Sequence, residues 1–266
     1  MSNNDFITVN ELYSGLCEKL PTSLSCDWDN DGLSVCADGQ REVKRILISL
    51  DPDGYAVDYA INGGYDCLVS HHPLIFSGLK AINESDPTAK KVLKLISGGV
   101  AAMSFHTRLD AVEGGVNDTL CELLGLSNVE AFGQNGETIG RVGYLKSPMP
   151  LDEFVCLVKN KLGAPAVTYA SSGHNAYKVA VLGGGGAGDA RAAEATGADT
   201  YITGELKYHQ LCDAPYSQMN LIEAGHYYTE FPVLEKLECI ISDVCRECGK
   251  SVPDMDILNV TQIKIH

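Results

Sequence analysis

Three short apolar runs, one ending on an acid and two running into histidines, constrain the fold of this chain more than any other feature. RILISLD (45–51), CLVSHHP (67–73) and VAAMSFH (100–106) are nearly continuous in hydrophobicity, which predicts strands buried on both faces. Between them, YAVDYAINGG and TAKKVLKLISGG carry apolar residues at helical spacing and close on glycines, a common helix stop. Strand, helix, strand in this rhythm predicts a mostly parallel sheet covered by helices. FITVNELYSGLCEKLP, stopped at Pro21, and GVNDTLCELLG (115–125) read as further helices, and CDWDNDGLSV as a turn-rich loop.

A glycine-rich polar break, AFGQNGETIG (131–140), separates this unit from a second one of similar rhythm. RVGYL, LDEFVCLVKNKLG, AVTYA, YKVAVLGG (177–184), a helix through Ala190–Thr196 and DTYITGE (199–205) follow in turn. NLIEAGH (220–226) then leads into the helix FPVLEKLECIISDVCRECG, and ILNVTQIKI reads as a closing strand. The expected class is α/β: two α/β domains with mixed, mostly parallel sheets flanked by helices. Residues 1–130, completed by 221–266, would form the first domain, and 131–220 the second. No internal repeat is evident.

Composition narrows the partners. In 266 residues, 35 acidic against 20 basic side chains give a formal charge of −15. Such a surface repels nucleic-acid phosphates and anionic membranes, because affinity for either depends on Lys and Arg displacing counterions. The opening MSNNDF lacks a basic segment followed by an apolar one, and no apolar run approaches the roughly 18–20 residues of a membrane span. The ten cysteines are scattered through apparent helices and strands, as small buried hydrophobes often are. A cytoplasmic protein with reduced thiols is the expectation.

The chemistry-bearing residues fall at strand ends. His71 and His72 are adjacent, so on a regular strand they would point to opposite faces. With Pro73 fixing the backbone at the strand's end, both imidazoles can turn toward one space; a half-exposed histidine pair is the bland reading. His106 ends the next strand and Asp110 follows in a loop, where it could equally cap a helix. His226 ends a later strand with Glu230 at i+4, on one face of a helical turn, a spacing also found in ordinary surface pairs. Parallel strands bring their carboxyl ends to one edge, where α/β proteins bind ligands. Three imidazoles and two carboxylates exceed the needs of one four-coordinate ion, so two bridged ions suit the count. Mixed imidazole and carboxylate ligation fits Zn, Fe, Mn or Co. None of these motifs contains cysteine, which argues against a structural zinc site.

In order along the chain, WDNDGL, SHHPLIF, HTRLDAVEGGVND, GADTYITGELKYH and GHYYTE resemble the motifs of the GTP cyclohydrolase I type 2 homologue family, the Nif-three-like dinuclear metal-centre proteins. The resemblance covers essentially the whole chain. It implies a two-domain protomer in a homohexameric ring, two divalent transition-metal ions per protomer, and ligands at His71, His72, Asp110, His226 and Glu230. Asp31 departs from the family pattern, which usually has valine there.

Other residues carry open readings. His106 is a further ligand, a donor that orients one, or a plain strand-end histidine. Asn30 and Asp31 line the pocket or merely make the turn before Gly32. Lys207 and His209, after Glu205, receive an anionic substrate if the second domain faces the metals; otherwise they belong to a solvated helix start. VLGGGGAGDA matches G-x-G-x-x-G at Gly183, Gly185 and Gly188, but six small residues in a row satisfy many patterns. Phosphate binding at a helix start outranks dinucleotide binding there, and tight packing outranks both. CRECG (Cys245, Cys248) lacks a second C-x-x-C and reads as helix packing.

The resulting expectation is a metal-dependent hydrolase acting on a small-molecule, nucleotide-type substrate, with a metal-activated water as nucleophile. The family name points to GTP, opened at the five-membered ring of the purine. His106 and His209 are the candidate proton carriers. The alternative is a non-catalytic ring that binds, senses or handles metal.

Overall fold

The computed structural model describes residues 5–134 and 136–264; residue 135, in the glycine-rich break, and the four first and two last residues lie outside it. In chain order the strands are β1 (Gly32–Val35), β2 (Arg45–Ser49), β3 (Cys67–Ser70), β4 (Ala101–Ser104), β5 (Ser127–Phe132) and β6 (Gly140–Met149). They continue as β7 (Thr168–Ala170), β8 (Ala176–Leu182), β9 (Thr200–Thr203), β10 (Asn220–Glu223) and β11 (Asp254–Leu258). The helices are α1 (Val9–Lys19), α2 (Gly54–Asn62), α3 (Pro87–Gly98), α4 (Thr107–Ala111) and α5 (Val116–Leu124). After them come α6 (Leu151–Leu162), α7 (Ala190–Ala195), α8 (Tyr208–Asp213), α9 (His226–Glu230) and α10 (Val233–Glu247). The backbone forms two compact units: residues 1–109 with 234–260, and 110–233 with 261–266.

The first unit holds a five-stranded sheet in the order β1-β4-β3-β2-β11. Its neighbours are parallel except for β1, which runs antiparallel to β4. Asp53 and Asp86 cap α2 and α3 by accepting from Ala56 N and Ala89 N, each at 2.8 Å. Such caps stabilise a helix by about 1 kcal/mol each. Leu47, Leu68 and Ala102 of the sheet pack with Val57 and Ala60 of α2 and Val92 and Leu95 of α3. Burying each of these leucines and valines contributes roughly 1.5–3 kcal/mol. α1 and α10 approach at glycine distance, since a Cβ on Gly15 would collide with Val244.

A six-stranded sheet, β5-β6-β8-β9-β10-β7, builds the second unit. Its centre, β8-β9-β10, is parallel, and its flanks are antiparallel. Alternation sorts the core: Val179, Val181, Ile202 and Ile222 face one way and pack with Phe154 and Val158 of α6 and Leu120 of α5. Ala180, Leu182, Tyr201 and Leu221 face the other way, against Ala193 of α7.

The sequence missed β1 and β5. Each is a short edge strand, and five of the six residues of β5 are exposed, so neither shows a buried apolar run. The closing strand lies earlier than ILNVTQIKI suggests, at Asp254–Leu258, and residue 265 is outside the described chain. Among the described residues, which include every cysteine, there is no disulfide, and no helix is long and apolar enough to cross a membrane.

Candidate metal centre

In the first unit, register brings the histidines together. Ser49, Ser70 and Ser104 are paired in line across β2, β3 and β4. The residues just beyond these serines therefore emerge side by side: Asp51, His71 with His72, and His106. His71 is fully buried, and His72 and His106 are partly so. Their rings lie 4.9 Å (His71–His72), 5.3 Å (His71–His106) and 5.5 Å (His72–His106) apart, centre to centre. One ring nitrogen of each lies within 4.8 Å of the others, close enough to share a cation.

Each ring is oriented by an oxygen at Nδ1. His71 Nδ1 is 3.0 Å from the carbonyl of Phe105, His72 Nδ1 is 2.8 Å from Asp51 Oδ1, and His106 Nδ1 is 2.9 Å from Asp29 Oδ1. A carbonyl or carboxylate only accepts, so each neutral imidazole donates from Nδ1 and carries its lone pair on Nε2. That tautomer is the one an Nε2-ligating histidine needs, and an oxygen partner on the other nitrogen is the usual support of such ligands. The donor set therefore fits a metal ion.

The loop 25–31 is built to hold His106 and its neighbours. Asp29 accepts from His106 at one oxygen; at the other it accepts from Thr107 N (3.1 Å) and Thr107 Oγ1 (2.6 Å). Burial pushes the Asp29 carboxyl up, but the hydrogen bonds and charge of His106 and the bonds from Thr107 outweigh it, leaving it well below the usual carboxylate range. Asn30 Nδ2 donates to the carbonyl of Ile75 at 2.5 Å. Asp31 takes a two-pronged pair from Arg108, Nη2 at 2.6 Å and Nε at 2.8 Å, and accepts from His106 N at 3.1 Å. Both side chains of that pair are nearly inaccessible, at 2% and 3% exposure. The sequence named Asn30 and Asp31 as pocket or turn residues and missed Asp29 and Asp51. Their only sequence signal is an acid one or two positions from a strand end or turn, which many structural carboxylates share.

The second unit repeats the device. Leu182, Thr203 and Glu223 are in line across β8, β9 and β10, so Gly183–Gly184, Gly204–Glu205 and Ala224–His226 emerge together. Gly225 turns the chain in the left-handed region (φ +88°), and α9 starts at His226. His226 Nε2 is 3.1 Å from Glu230 Oε2, and its Nδ1 is 2.8 Å from Glu205 Oε1. Glu230 is buried, as is Asp110, the first residue of this unit, whose carbonyl accepts from Asn117 Nδ2 at 3.3 Å.

The glycine run resolves into packing. Gly184 sits at φ +65°, and a Cβ there would strike the Glu230 carboxylate and crowd His226 Nε2. The amide of Gly183 donates to Asn117 Oδ1 (2.8 Å), that of Gly184 to Thr229 Oγ1 (3.0 Å) and that of Gly186 to Thr203 Oγ1 (2.9 Å). These amides serve the protein itself rather than a phosphate. His209 lies exposed on α8, lining a cavity of about 290 Å³ with Arg191, Glu194 and Asp213, apart from Asp110, His226 and Glu230. Lys207 is exposed at the same helix start. On α10, Cys245 is buried, its thiol pushed up to about 11 by that burial, while Cys248, just past the helix, is exposed.

A mixed α/β chain with imidazole and carboxylate donors at its strand ends is the class that fold and site define. Residues 7–257 match the model of the family Duf34/NIF3 (NGG1p interacting factor 3), and the chain belongs to that family. It is 32% identical over 242 residues to a GTP cyclohydrolase 1 type 2 homolog of Clostridium perfringens, covering 89% of this chain and 90% of that one. A NIF3 homolog of Schizosaccharomyces pombe is 34% identical over 231 residues, 81% and 82% of the two chains. Among solved structures, a Bacillus cereus protein related to NIF3 shares the fold at a TM-score of 0.88, 23% identity and 99% coverage of both chains. Reduced HcgD from Methanocaldococcus jannaschii matches at a TM-score of 0.81 and 27% identity, over 96% of this chain and 98% of that one.

Proposed function

We propose that this protein is a dinuclear-metal-dependent hydrolase acting on a nucleotide-type substrate, with a metal-activated water as nucleophile. Its metal donors are His71, His72, Asp110, His226 and Glu230, holding two divalent ions drawn from Zn, Fe, Mn or Co. The observation that supports this best is the shared seating of the imidazole donors: His71, His72 and His226 each face an oxygen through Nδ1. Surface histidines have no reason to share one tautomer, whereas ligands do. Two bound ions would supply a water acidified toward a pKa of about 7 and a positive centre for the charge that develops during hydrolysis.

The chain's own groups do the rest. Phe105, Asp51 and Glu205 hold His71, His72 and His226 in orientation, and Gly184 leaves room for the Glu230 carboxylate. His106 is the favoured proton carrier: Asp29 fixes its tautomer, so Nε2 can accept a proton and Asp29 can stabilise the cation that results. His209, the other candidate, serves as the comparison. The nucleotide class rests on the relatives named as GTP cyclohydrolase 1 type 2 homologs. We place the enzyme in the cytoplasm as a homohexameric ring, which sedimentation of the purified protein would check.

The test is a panel of nucleotides and phosphoesters assayed with the loaded protein, the chelated protein and His71→Ala. The proposal expects metal-dependent turnover that disappears in His71→Ala while the fold, read by circular dichroism, survives. His106→Asn should lower kcat by about 100-fold or more, within the usual range for a proton carrier, and His209→Asn by much less. Stoichiometric metal without turnover of any panel member would favour a metal-handling protein instead.

A further inference from the structure

The carboxylates of Asp29 and Asp31 are turned inward and the Asn30 amide is tied to a neighbouring loop, while the large apolar side chain beside them is left half outside. Trp28 is 55% exposed. Its ring centre lies 6.1 Å from that of Phe76, also 55% exposed, and both rings stand roughly edge-on to His106, at 5.9 Å and 6.4 Å. Asn30 ties the Trp28 loop to the Phe76 loop through the carbonyl of Ile75, and Asp29 and Asp31 anchor it to Thr107, His106 and Arg108. An aromatic pair left more than half exposed on two cross-braced loops has apolar surface still to bury and is held in position, which is how a recognition surface is preorganised. Phe76 also borders a cavity of about 750 Å³ that includes Leu74, Lys80, Asn83 and Ser85, within the size range of small-molecule sites.

We infer that Trp28 and Phe76 form a stacking platform for a planar heteroaromatic ring of the substrate, which sets the substrate's position against His106 and the histidine pair beyond it. The inference rests on the reading of the histidine cluster as the reactive site, and it adds the groups that select the ligand. Aromatic faces stack on any planar base, so the platform selects for a flat ring and against an aliphatic or sugar phosphate of equal charge. The cavity beside Phe76 has room for the groups attached to that ring.

The chain itself supplies the probe, because Trp28 is its only tryptophan. In the metal-loaded, full-length protein, guanosine and adenosine monophosphates should quench its emission saturably, and ribose 5-phosphate should not. Calorimetry should show Trp28→Leu binding the two nucleotides roughly ten- to a hundredfold more weakly, with Trp28→Phe recovering most of the affinity. Metal content and thermal midpoint should not change in either variant. Equal binding of ribose 5-phosphate, or nucleotide affinity unchanged in Trp28→Leu, would overturn the platform even in a protein carrying its metals. So would shielding of Trp28 from acrylamide without ligand, which would mean that another copy of the chain covers it. Stacking in a protein that retains no metal would leave the platform standing and count against the hydrolase reading.

Discussion

The surroundings of Asp31 show what this acid does in the fold. Its carboxylate is the buried partner of Arg108, and removing one member of such a pair leaves an uncompensated charge in low dielectric. Asp31→Val should therefore cost about 3–5 kcal/mol, and Asp31→Val with Arg108→Leu distinctly less, as urea midpoints would show. Asp29 predicts a pH effect. Its folded carboxyl titrates below the unfolded value of roughly 3.9, so its contribution is fully present above that value and is lost as pH falls below it. Asp29→Asn should consequently destabilise the protein near neutrality and show a weaker loss of stability between about pH 4 and pH 2 than the parent chain. His71, His72, His106 and His226 were legible in the sequence because each stands at the end of an apolar run. Asp29 and Asp51 were not, since their role depends on what the fold places opposite them.

At the scale of elements, two in-line registers do the positioning. The pairing of Ser49, Ser70 and Ser104 explains why the histidines of separate strands meet, and that of Leu182, Thr203 and Glu223 does the same for Glu205 and His226. The parallel strands themselves could be read from their buried runs, while edge strands β1 and β5 could not, because half-solvated edges have no such pattern. The glycine run shows the limit of motif reading: a fingerprint for phosphate amides and a requirement for bare backbone beside a carboxylate look alike in sequence. Gly184→Ala tests which applies. The added methyl meets the Glu230 carboxylate and the backbone is left-handed, so the variant should lose metal affinity by at least tenfold while nucleotide stacking at Trp28 persists. A metal titration followed by calorimetry would measure it.

For the whole molecule, a net charge of −15 disfavours anionic ligands in bulk solution, so the proposed nucleotide binding would depend on local cations and stacking. Bound metal also couples to stability: ions that bind only the folded chain add RT ln(1 + [L]/Kd), about 2.7 kcal/mol at a hundredfold excess over Kd. Chelation should thus lower the melting temperature by several degrees, and readdition of Zn, Fe, Mn or Co should restore it. The most direct measurement of the central claim is elemental analysis of the gently purified protein, expressed per protomer. The account predicts close to two equivalents of a transition metal, falling to one or fewer in His71→Ala and His226→Ala. A value near zero in the parent protein, with no uptake when metal is offered, would contradict it.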